Sequence, residues 1–587
     1  MLNLGAKGNE NSSKRPVYGQ KVTNEEIFRK ARKFGFGLME TVSSSDSMAL
    51  AICVESDHLE ALQATLASGL LSDSSSGKTP FATLVVPPLH LPEGQPSTLP
   101  PSDARRLAAV YTTANAVSKA NSMSIVDSNT FFILANQDEV AEARSQLGSQ
   151  GEKRRFLTFE EVLDRGADVA HSQHEPSSAS AAATHSSFWL GDAWVQVTNA
   201  SLCAGVTSYL GFYPADGIPG TSDRILVEQS HFMDSPSLHL GATASPAGLS
   251  LALMALFVGA SLSVGPLVSS LDDVNPSPGP DVLKTNPTLI YTSPMGASHF
   301  GLALTSVSKR SPLVRLCYAS KLRTLRRGVV QARNTIHDWL LFDSVRRVTG
   351  TTELRGMTVV GEGWVLGQSV LDKLRTHLSC AVTNAWLPRA GLEAVSTQDG
   401  KSGTTKTRQQ SANGDSFTVW TTAPLSQSHV YDVQAFRANN DGLSEMPGHV
   451  GPPSVTVELK VTEEDHSKGG MNATGSDSAD LTPRGWDRFI SKDDKAGTVY
   501  ARGSILTSFS GSDDNGNQPW FSTLQPGSFR SNGTLLLLPP SIKEEKKGMM
   551  PVPTLSAKYP IRNKTTIGVG TVLEQADRPK THKDKGE

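Results

Sequence analysis

The sequence predicts an α/β protein in which helices cover layered, mainly parallel sheets, with a small β subdomain near the carboxyl end. Apolar, strand-like runs alternate with segments of helical periodicity over most of the chain, and this alternation is typical of βαβ units. After about residue 395 the pattern changes to short strand-like runs between Gly, Asp and Asn turns, which indicates a separate β-rich region.

These changes of pattern predict four regions along the 587 residues. Residues 1–21 form a disordered amino terminus, and 22–395 form the α/β core, which a loop or linker interrupts at 167–187. Residues 396–540 form the β-rich subdomain, and 541–587 form a flexible, Lys-rich tail.

Each element of the core rests on a local signal. Thr23 and Glu26 form a capping box before a helix at 22–41. Further helices are predicted from apolar spacing of three and four residues, at 57–72, 102–121, 137–147, around 322–350 and at 369–379. Strands are predicted from short apolar runs, at 48–55, 79–88, 129–136, 288–294 and 356–362, and 156–166 passes from strand to helix.

The uncharged segment 241–271 has two interpretations. It is long enough for a membrane span. A buried helix at about 248–258, followed by a buried strand at about 261–267, explains it as well, because Gly and Pro interrupt it.

Composition excludes several classes of function. Lys and Arg number 55 against 57 Asp and Glu, so the net charge of −2 gives no overall attraction to nucleic acid. The four scattered cysteines predict neither a disulfide framework nor a zinc site, and no metal site is predicted. The amino terminus lacks the apolar core of a secretory signal, which predicts an intracellular protein. A basic helical region is expected to form a solvated face, and the alternative is contact with acidic headgroups or CoA phosphates. Its members are Lys309, Arg310, Arg315, Lys321, Arg323, Arg326, Arg327 and Arg333.

Several segments, in order along residues 22–540, resemble one family, the long-chain fatty acid–CoA ligases of the adenylate-forming, AMP-binding superfamily. TSDRIL (221–226) resembles the strand before that family's apolar helix, and LRGMTVVGEG (354–363) resembles its "lR-x-x-x-s-G-g-A" stretch. VGPPSVTVELKV (450–461) is similar to "GxPxPGxEvKl", and GTVYARGSILTSF (497–509) is similar to "GEIxxRGxxvmxGY". The resemblance implies the amino-terminal α/β domain of that superfamily.

The phosphate loop of the family, "TSGTTGxPKG", precedes a segment that WVQVTNASLCAGV (194–206) resembles. Its Gly residues let backbone N–H groups surround the phosphates, and its Lys adds a charge. Here HSSFWLGDAW (185–194) keeps two hydroxyl residues but has bulky and uncharged residues elsewhere. The resemblance therefore implies a degenerate loop, with these remaining positions: Ser186, Ser187, Thr198 and Asn199.

Other family positions are also altered. The adenine and Mg²⁺ motif "YGxTE" falls in NAWLPRAGLE (384–393), where the corresponding residues are Trp386, Arg389 and Glu393. The ribose-binding "TGD" falls at Thr523 and Gln525. A counterpart of the family's carboxyl-terminal subdomain, with its catalytic Lys, is not expected in the remaining residues.

The resemblance implies a catalytically impaired protein with a lipid-binding, acyl-binding or regulatory role and no cofactor. Two alternatives stay open. One is an active ligase that uses ATP, Mg²⁺ and CoA, and the other is a structural scaffold or an incomplete gene model. The implied partners are a fatty acid or acyl-CoA and a peripheral membrane surface, but no nucleic acid. The implied location is the cytoplasm or the surface of the endoplasmic reticulum, a peroxisome or a lipid droplet.

Overall fold

The structure is a computed structural model, and its elements are numbered here along the chain. It describes residues 14–42, 48–71, 81–88, 91, 96, 99–100, 106–170, 184–190, 194–228, 240–269, 277–308, 313–326, 333, 335–362, 365–388, 393–394, 420–428, 450–462, 496–507, 520–530 and 533–538.

A seven-stranded sheet comes from the first third of the chain. Its strands are β3 (Met48–Cys53), β4 (Phe81–Val85), β5 (Arg106–Thr112), β6 (Phe131–Leu134), β7 (Phe156–Thr158), β8 (Thr184–Trp189) and β9 (Trp194–Thr198). Their order is β7-β6-β5-β3-β4-β8-β9. All neighbours are parallel except the β8–β9 hairpin at one edge.

A second large sheet has eight strands, which are β1 (Arg15–Val17), β2 (Gln20–Val22), β10 (Arg224–Glu228), β11 (Ser261–Gly265), β12 (Leu289–Thr292), β13 (Gly356–Glu362), β14 (Ala381–Leu387) and β16 (Ser426–Gln427). Their order is β16-β14-β13-β12-β10-β11-β1-β2. The run from β14 to β1 is parallel, whereas β2 and β16 are antiparallel edge strands.

A third, antiparallel sheet of five strands lies towards the carboxyl end. Its strands are β15 (Glu393–Ala394), β17 (Val457–Thr462), β18 (Ala496–Gly503), β19 (Phe521–Phe529) and β20 (Leu535–Leu537). The predicted fold class, α/β with parallel sheets and a small β unit near the carboxyl end, is therefore confirmed.

Helices cover the two large sheets. They are α1 (Asn24–Val42), α2 (Leu59–Leu70), α3 (Val117–Ser122), α4 (Gln137–Leu147), α5 (Phe159–Ala170), α6 (Asn199–Gly211), α7 (Pro246–Val258), α8 (Pro280–Thr285), α9 (Pro294–Ser308), α10 (Val314–Arg326), α11 (Asp343–Val348) and α12 (Gln368–Leu378). The predicted capping box of α1 is confirmed, since Glu26 N donates to Thr23 Oγ1 at 3.1 Å and Thr23 N donates to Glu26 Oε2 at 2.8 Å. One apolar cluster joins both large sheets through α1, α2, α6 and α7, so the molecule is layered.

The helix predicted at 102–121 is wrong at 106–112. Residues 106–112 form β5, which pairs with β3 on one side and β6 on the other. The Ala-rich sequence has helix propensity, but its apolar side chains are buried in the middle of a sheet, and such tertiary context overrides propensity. A short helix, α3, begins only at Val117.

The uncharged segment 241–271 contains a buried helix and a strand. Helix α7 has 13 residues and ends at Gly259, whose φ of 74° lets the chain turn into β11. Within the described ranges, no helix is both long enough and apolar enough to cross a membrane.

Three other predicted segments differ from the structure. The disordered terminus predicted at 1–21 is wrong from residue 15 onward, because Arg15–Val17 and Gln20–Val22 form β1 and β2, and β1 pairs with β11. The basic region around 322–350 is not one helix, because α10 ends at Arg326 and a π-helical turn, Asp338–Phe342, leads into α11. The loop or linker predicted at 167–187 overlaps the end of α5 and the start of β8.

Residues 1–13, 171–183 and the tail 541–587 lie outside the described residues.

Candidate functional site

The β8–β9 hairpin contains the residues that resemble the phosphate loop. In it, Ser186 pairs with Val197, and Trp189 pairs with Trp194 across the two strands. The two indole rings meet edge to face with centroids 5.3 Å apart, and both are buried. The structure therefore places Ser186 and Ser187 inside a buried strand and not in a loop.

Thr198 and Asn199, the next two predicted positions, lie at the start of α6. Thr198 Oγ1 accepts a hydrogen bond from Ser201 N at 3.1 Å, and Thr198 N donates to Ser201 Oγ at 3.1 Å. This is a capping box, and Asn199 is the first, buried residue of the helix. The Thr198 hydroxyl therefore satisfies a backbone group at the helix start.

Trp386, at the position that resembles the aromatic residue of "YGxTE", is packed inside the protein. Trp386 lies on β14 and has no solvent exposure. It packs in an apolar cluster with Ala204 of α6, Leu425 next to β16, and Phe521 of the five-stranded sheet. Its main-chain oxygen accepts a hydrogen bond from Leu425 N at 2.9 Å. The indole thus fills the space where α6 and two sheets meet.

The two positions that resemble the ribose-binding motif lie on β19. Thr523 Oγ1 donates to Val499 O at 2.7 Å, and Gln525 Nε2 donates to Leu538 O at 2.7 Å. Both side chains are buried. Their polar groups therefore hold neighbouring strands together.

Helix α6 is also held tightly against the carboxyl-terminal part of the chain. Thr422 Oγ1 donates to Ser201 O at 2.6 Å, and Ser208 Oγ lies 2.7 Å from Ser454 Oγ. A Cβ atom on Gly205 would lie 2.7 Å from Thr422 O, which is closer than real Cβ contacts. These contacts hold α6 against the segments at 420–428 and 450–462.

Two predicted positions are described only in part or not at all. Arg389 lies outside the described residues. Glu393 belongs to β15, and its backbone pairs with Ser522 of β19.

Sequence reasoning missed Glu228, a buried carboxylate at the end of β10. Its Oε2 accepts hydrogen bonds from Thr292 Oγ1 at 2.6 Å, Ser293 N at 2.9 Å and Ser293 Oγ at 3.0 Å. Burial raises the pKa of Glu228 although these donors favour the carboxylate form. Ser293 also accepts from Gly296 N at the start of α9. The start of a helix favours a negative charge. At the start of α9 the carboxylate of Glu228 supplies that charge.

A row of polar side chains, here called the tyrosine row, crosses the eight-stranded sheet. Tyr291, Thr358 and Thr383 are neighbours across β12, β13 and β14. Tyr213 Oη lies 2.6 Å from Tyr291 Oη, and Gln427 Nε2 lies 3.5 Å from both threonine hydroxyls. Burial raises the pKa of Tyr213 to about 12, so its hydroxyl is neutral at physiological pH. Gln427 Oε1 has no hydrogen-bond partner among the described residues.

The tyrosine row has hydrogen-bonding capacity inside a largely apolar layer. Tyr291 and Tyr213 belong to the apolar cluster that joins the two large sheets. The side chains of the row are buried, and the two tyrosine hydroxyls hydrogen-bond to each other. No sequence motif marks these residues, since they come from four strands and a helix end.

Comparison with known proteins gives no family assignment. The sequence matches no protein family and no curated protein sequence. Solved structures with some similarity include a long-chain-fatty-acid–CoA ligase from Archaeoglobus fulgidus, with 12% identity, a TM-score of 0.49, and coverage of 93% of this chain and 84% of that chain.

Two further solved structures are similar at the same level. A benzoate CoA ligase from Burkholderia xenovorans LB400 has 14% identity and a TM-score of 0.47, covering 91% of this chain and 78% of that chain. O-succinylbenzoate coenzyme A synthetase from Bacillus subtilis has 14% identity and a TM-score of 0.42, covering 90% of this chain and 76% of that chain. Similarity of this degree assigns neither a family nor an activity to the chain.

Proposed function

We propose that this protein has the scaffold of an adenylate-forming acyl-CoA synthetase but does not adenylate an acyl substrate. It binds a fatty acid or acyl-CoA, in the cytoplasm or at a membrane surface, and acts as a binding or regulatory protein. The ordered sequence segments that resemble the long-chain fatty acid–CoA ligases support the scaffold.

The observation that carries the proposal is the packing of Trp386. An indole without solvent exposure fills the position that resembles the adenine site, between α6, β14 and the five-stranded sheet. At the position that resembles the phosphate loop, Trp189 and Trp194 close a buried hairpin. The three indoles do not fit ATP and Mg²⁺, because they are buried and uncharged and supply neither a cation for the phosphates nor an oxygen ligand for the metal.

Energy estimates favour a protein that does not catalyse acyl adenylation over an active ligase. Stabilising the charge that develops on a phosphate is worth ~3–4 kcal/mol per group. Loss of the loop, its Lys, the Mg²⁺ carboxylate and the ribose anchor would together exceed ~10 kcal/mol if partly additive, which abolishes measurable turnover.

Acyl adenylation with radiolabelled ATP and a panel of fatty acids tests this proposal. We expect no adenylate, and no thermal stabilisation by Mg-ATP under conditions that stabilise an active ligase assayed in parallel. Robust turnover with any fatty acid would instead support the alternative of an active ligase with substituted residues.

Binding of a fluorescent fatty acid or acyl-CoA tests the ligand separately. The tyrosine row supports an acyl ligand, since a carbonyl can accept from its hydroxyls within an apolar layer. Tyr291→Phe should weaken binding by about fivefold, the effect of one hydrogen bond. Tyr500→Phe, on β18 and away from this row, is the matched control. Absence of binding by the unmodified protein would favour a structural scaffold.

A further inference from the structure

Exposed apolar side chains concentrate in one short part of the chain. Among the residues that the structure describes, nine large apolar side chains are exposed, and six of them lie between 313 and 348. Trp339 is 78% exposed and Ile336 is 72% exposed. The six residues are Leu313, Leu316, Ile336, Trp339, Leu340 and Val348. Scattered apolar residues are normal on a protein surface, but such a concentration marks an interaction site.

The π-helical turn at 338–342 explains why these side chains face solvent. Asp338 and Phe342 are buried, and Lys321 of α10 forms an ion pair with Asp338 and lies 5.0 Å above the Phe342 ring. Since these contacts fix the inner side of the turn, Trp339 and Leu340 lie on the outer side. A π-helical turn is rare and is frequent at functional sites.

Helix α10 and the π-helical turn are direct neighbours through this ion pair. Leu313 and Leu316, at the start of α10, are three residues apart, so they share one side of the helix. Ile336, Trp339 and Leu340 have the same three- and four-residue spacing around the turn. Five of the six exposed apolar residues therefore lie on or next to two packed elements, and the sixth, Val348, ends α11, which follows the turn directly.

The exposed charges in this stretch are mainly basic. Lys321 and Arg346 are buried with Asp338, and Arg346 also pairs with Asp343, whose side chain is 46% exposed. The described residues from 313 to 348 contain no other acid. The exposed arginines of this stretch are Arg315, Arg323 and Arg347, and Arg347 lies four residues after Asp343 on α11.

We propose that this surface, the six apolar side chains and three arginines just named, binds an anionic lipid bilayer. Trp prefers the membrane–water interface, Leu and Ile insert beneath it, and basic residues attract anionic headgroups. An acidic protein would satisfy the arginines but not an exposed Trp with its apolar neighbours. The surface shares no residue with the tyrosine row, so membrane binding does not depend on the proposed acyl ligand.

Cosedimentation of the full chain with vesicles tests the proposal. Vesicles of phosphatidylcholine with one-third phosphatidylserine should bind the protein, vesicles of phosphatidylcholine alone should bind it weakly, and added salt should weaken binding. Arg315→Glu with Arg323→Glu should reduce binding by at least about 25-fold, at about fivefold for each arginine lost. Trp339→Ser should reduce it by roughly tenfold through lost apolar insertion.

Matched substitutions elsewhere on the protein test whether the loss of vesicle binding is specific to this surface. Val455 is 66% exposed and Leu316 is 67% exposed, so Leu316→Ser should weaken binding while Val455→Ser should not. Lys21→Glu with Lys153→Glu provides the same change of net charge on other exposed elements. Circular dichroism and thermal unfolding should show that every variant folds.

Three results would overturn the proposal. The first is equal binding by the surface variants and the controls, and the second is no binding to anionic vesicles by the unmodified protein. The third is concentration-dependent dimerisation that Trp339→Ser abolishes without any vesicle binding, which would place a second copy of the chain on this surface.

Discussion

Trp386 is the largest fully buried side chain among the described residues, and its position resembles a nucleotide site. An indole in the centre of an apolar cluster is expensive to remove, because the surrounding residues come from different sheets and collapse poorly into the cavity. The proposal that packing replaces nucleotide binding therefore predicts a stability effect rather than an effect on catalysis.

Trp386→Ala should lower the free energy of unfolding by about 3–5 kcal/mol. Urea denaturation followed by circular dichroism measures this change. Trp520→Ala is the control, because Trp520 is half-buried and contacts the charged side chains of Lys460 and Arg502. A loss for Trp386→Ala no larger than for the control would mean that the indole does not fill a packed core.

Asp223 gives a prediction for pH dependence. Burial raises the pKa of Asp223. Hydrogen bonds from Arg355, at 2.8 and 2.9 Å, and from Thr288 Oγ1 and Gly220 N lower this pKa by more than burial raises it, so it lies below its ordinary value. The unfolded chain therefore takes up the proton first as pH falls. The stabilisation is complete well above pH 4 and disappears as pH falls below about 4.

Asp223→Asn should cost about 2 kcal/mol at pH 7, and the difference from the unmodified protein should shrink as pH falls below about 4. Urea titrations at several pH values measure it. Glu458→Gln, which breaks the exposed pair with Arg502, should cost less than about 1 kcal/mol. A difference for Asp223→Asn that is constant with pH would contradict the assigned ionisation.

Helix α1 shows why local sequence signals predicted some elements well, because its capping box of Thr23 and Glu26 is visible in the sequence. Thr198 and Ser201 form a capping box, so α6 begins at a defined residue whatever precedes it. Helix α4 begins likewise after Asn136, whose side chain accepts from Glu139 N at 3.0 Å. Signals of this kind need no information from distant parts of the chain.

Removing the cap of α6 should be measurable. Thr198→Ala should lower the free energy of unfolding by about 1 kcal/mol, because Ser201 N loses its acceptor. Thr207→Ala, in the exposed part of the same helix, should change it by less than about 0.5 kcal/mol. Equal effects in thermal or urea unfolding would mean that the cap adds nothing.

The sequence predicted less well where partners from distant segments decide the structure. Residues 106–112 read as a helix but form the strand between β3 and β6. Ser186 and Ser187 read as loop residues but pair with β9, because β8 continues as far as Trp189. The tyrosine row had no signal at all, since its members are separated by up to 214 residues, from Tyr213 to Gln427.

Contacts between the two large sheets hold the molecule together as a whole. Asp57, just after β3, accepts from Ala242 N at 2.5 Å and Thr243 N at 2.9 Å, ahead of α7. This carboxylate thus connects a loop of the seven-stranded sheet to the helix that covers the eight-stranded sheet. The periodic apolar pattern predicted the layers, but it could not predict which loops would join them.

Asp57→Ala should lower the free energy of unfolding by about 2–3 kcal/mol, since two buried N–H groups lose their acceptor. If the two sheets then unfold separately, the free energy of unfolding should also depend less steeply on the urea concentration. Lys119→Ala, which removes the exposed ion pair with Glu55, is the comparison at the surface. An Asp57→Ala effect as small as that of Lys119→Ala would show that the sheets are held by apolar contacts alone.

On the proposed function, the β8–β9 hairpin also limits how an ATP-dependent activity could be engineered into this chain. Only positions 190–193 separate its two strands, and the paired residues on either side fix the register. Point substitutions cannot lengthen this connection. An insertion of several residues between Trp189 and Trp194 could add a loop without shifting the strand pairing, so such a design would begin with a change of length and not of side chains.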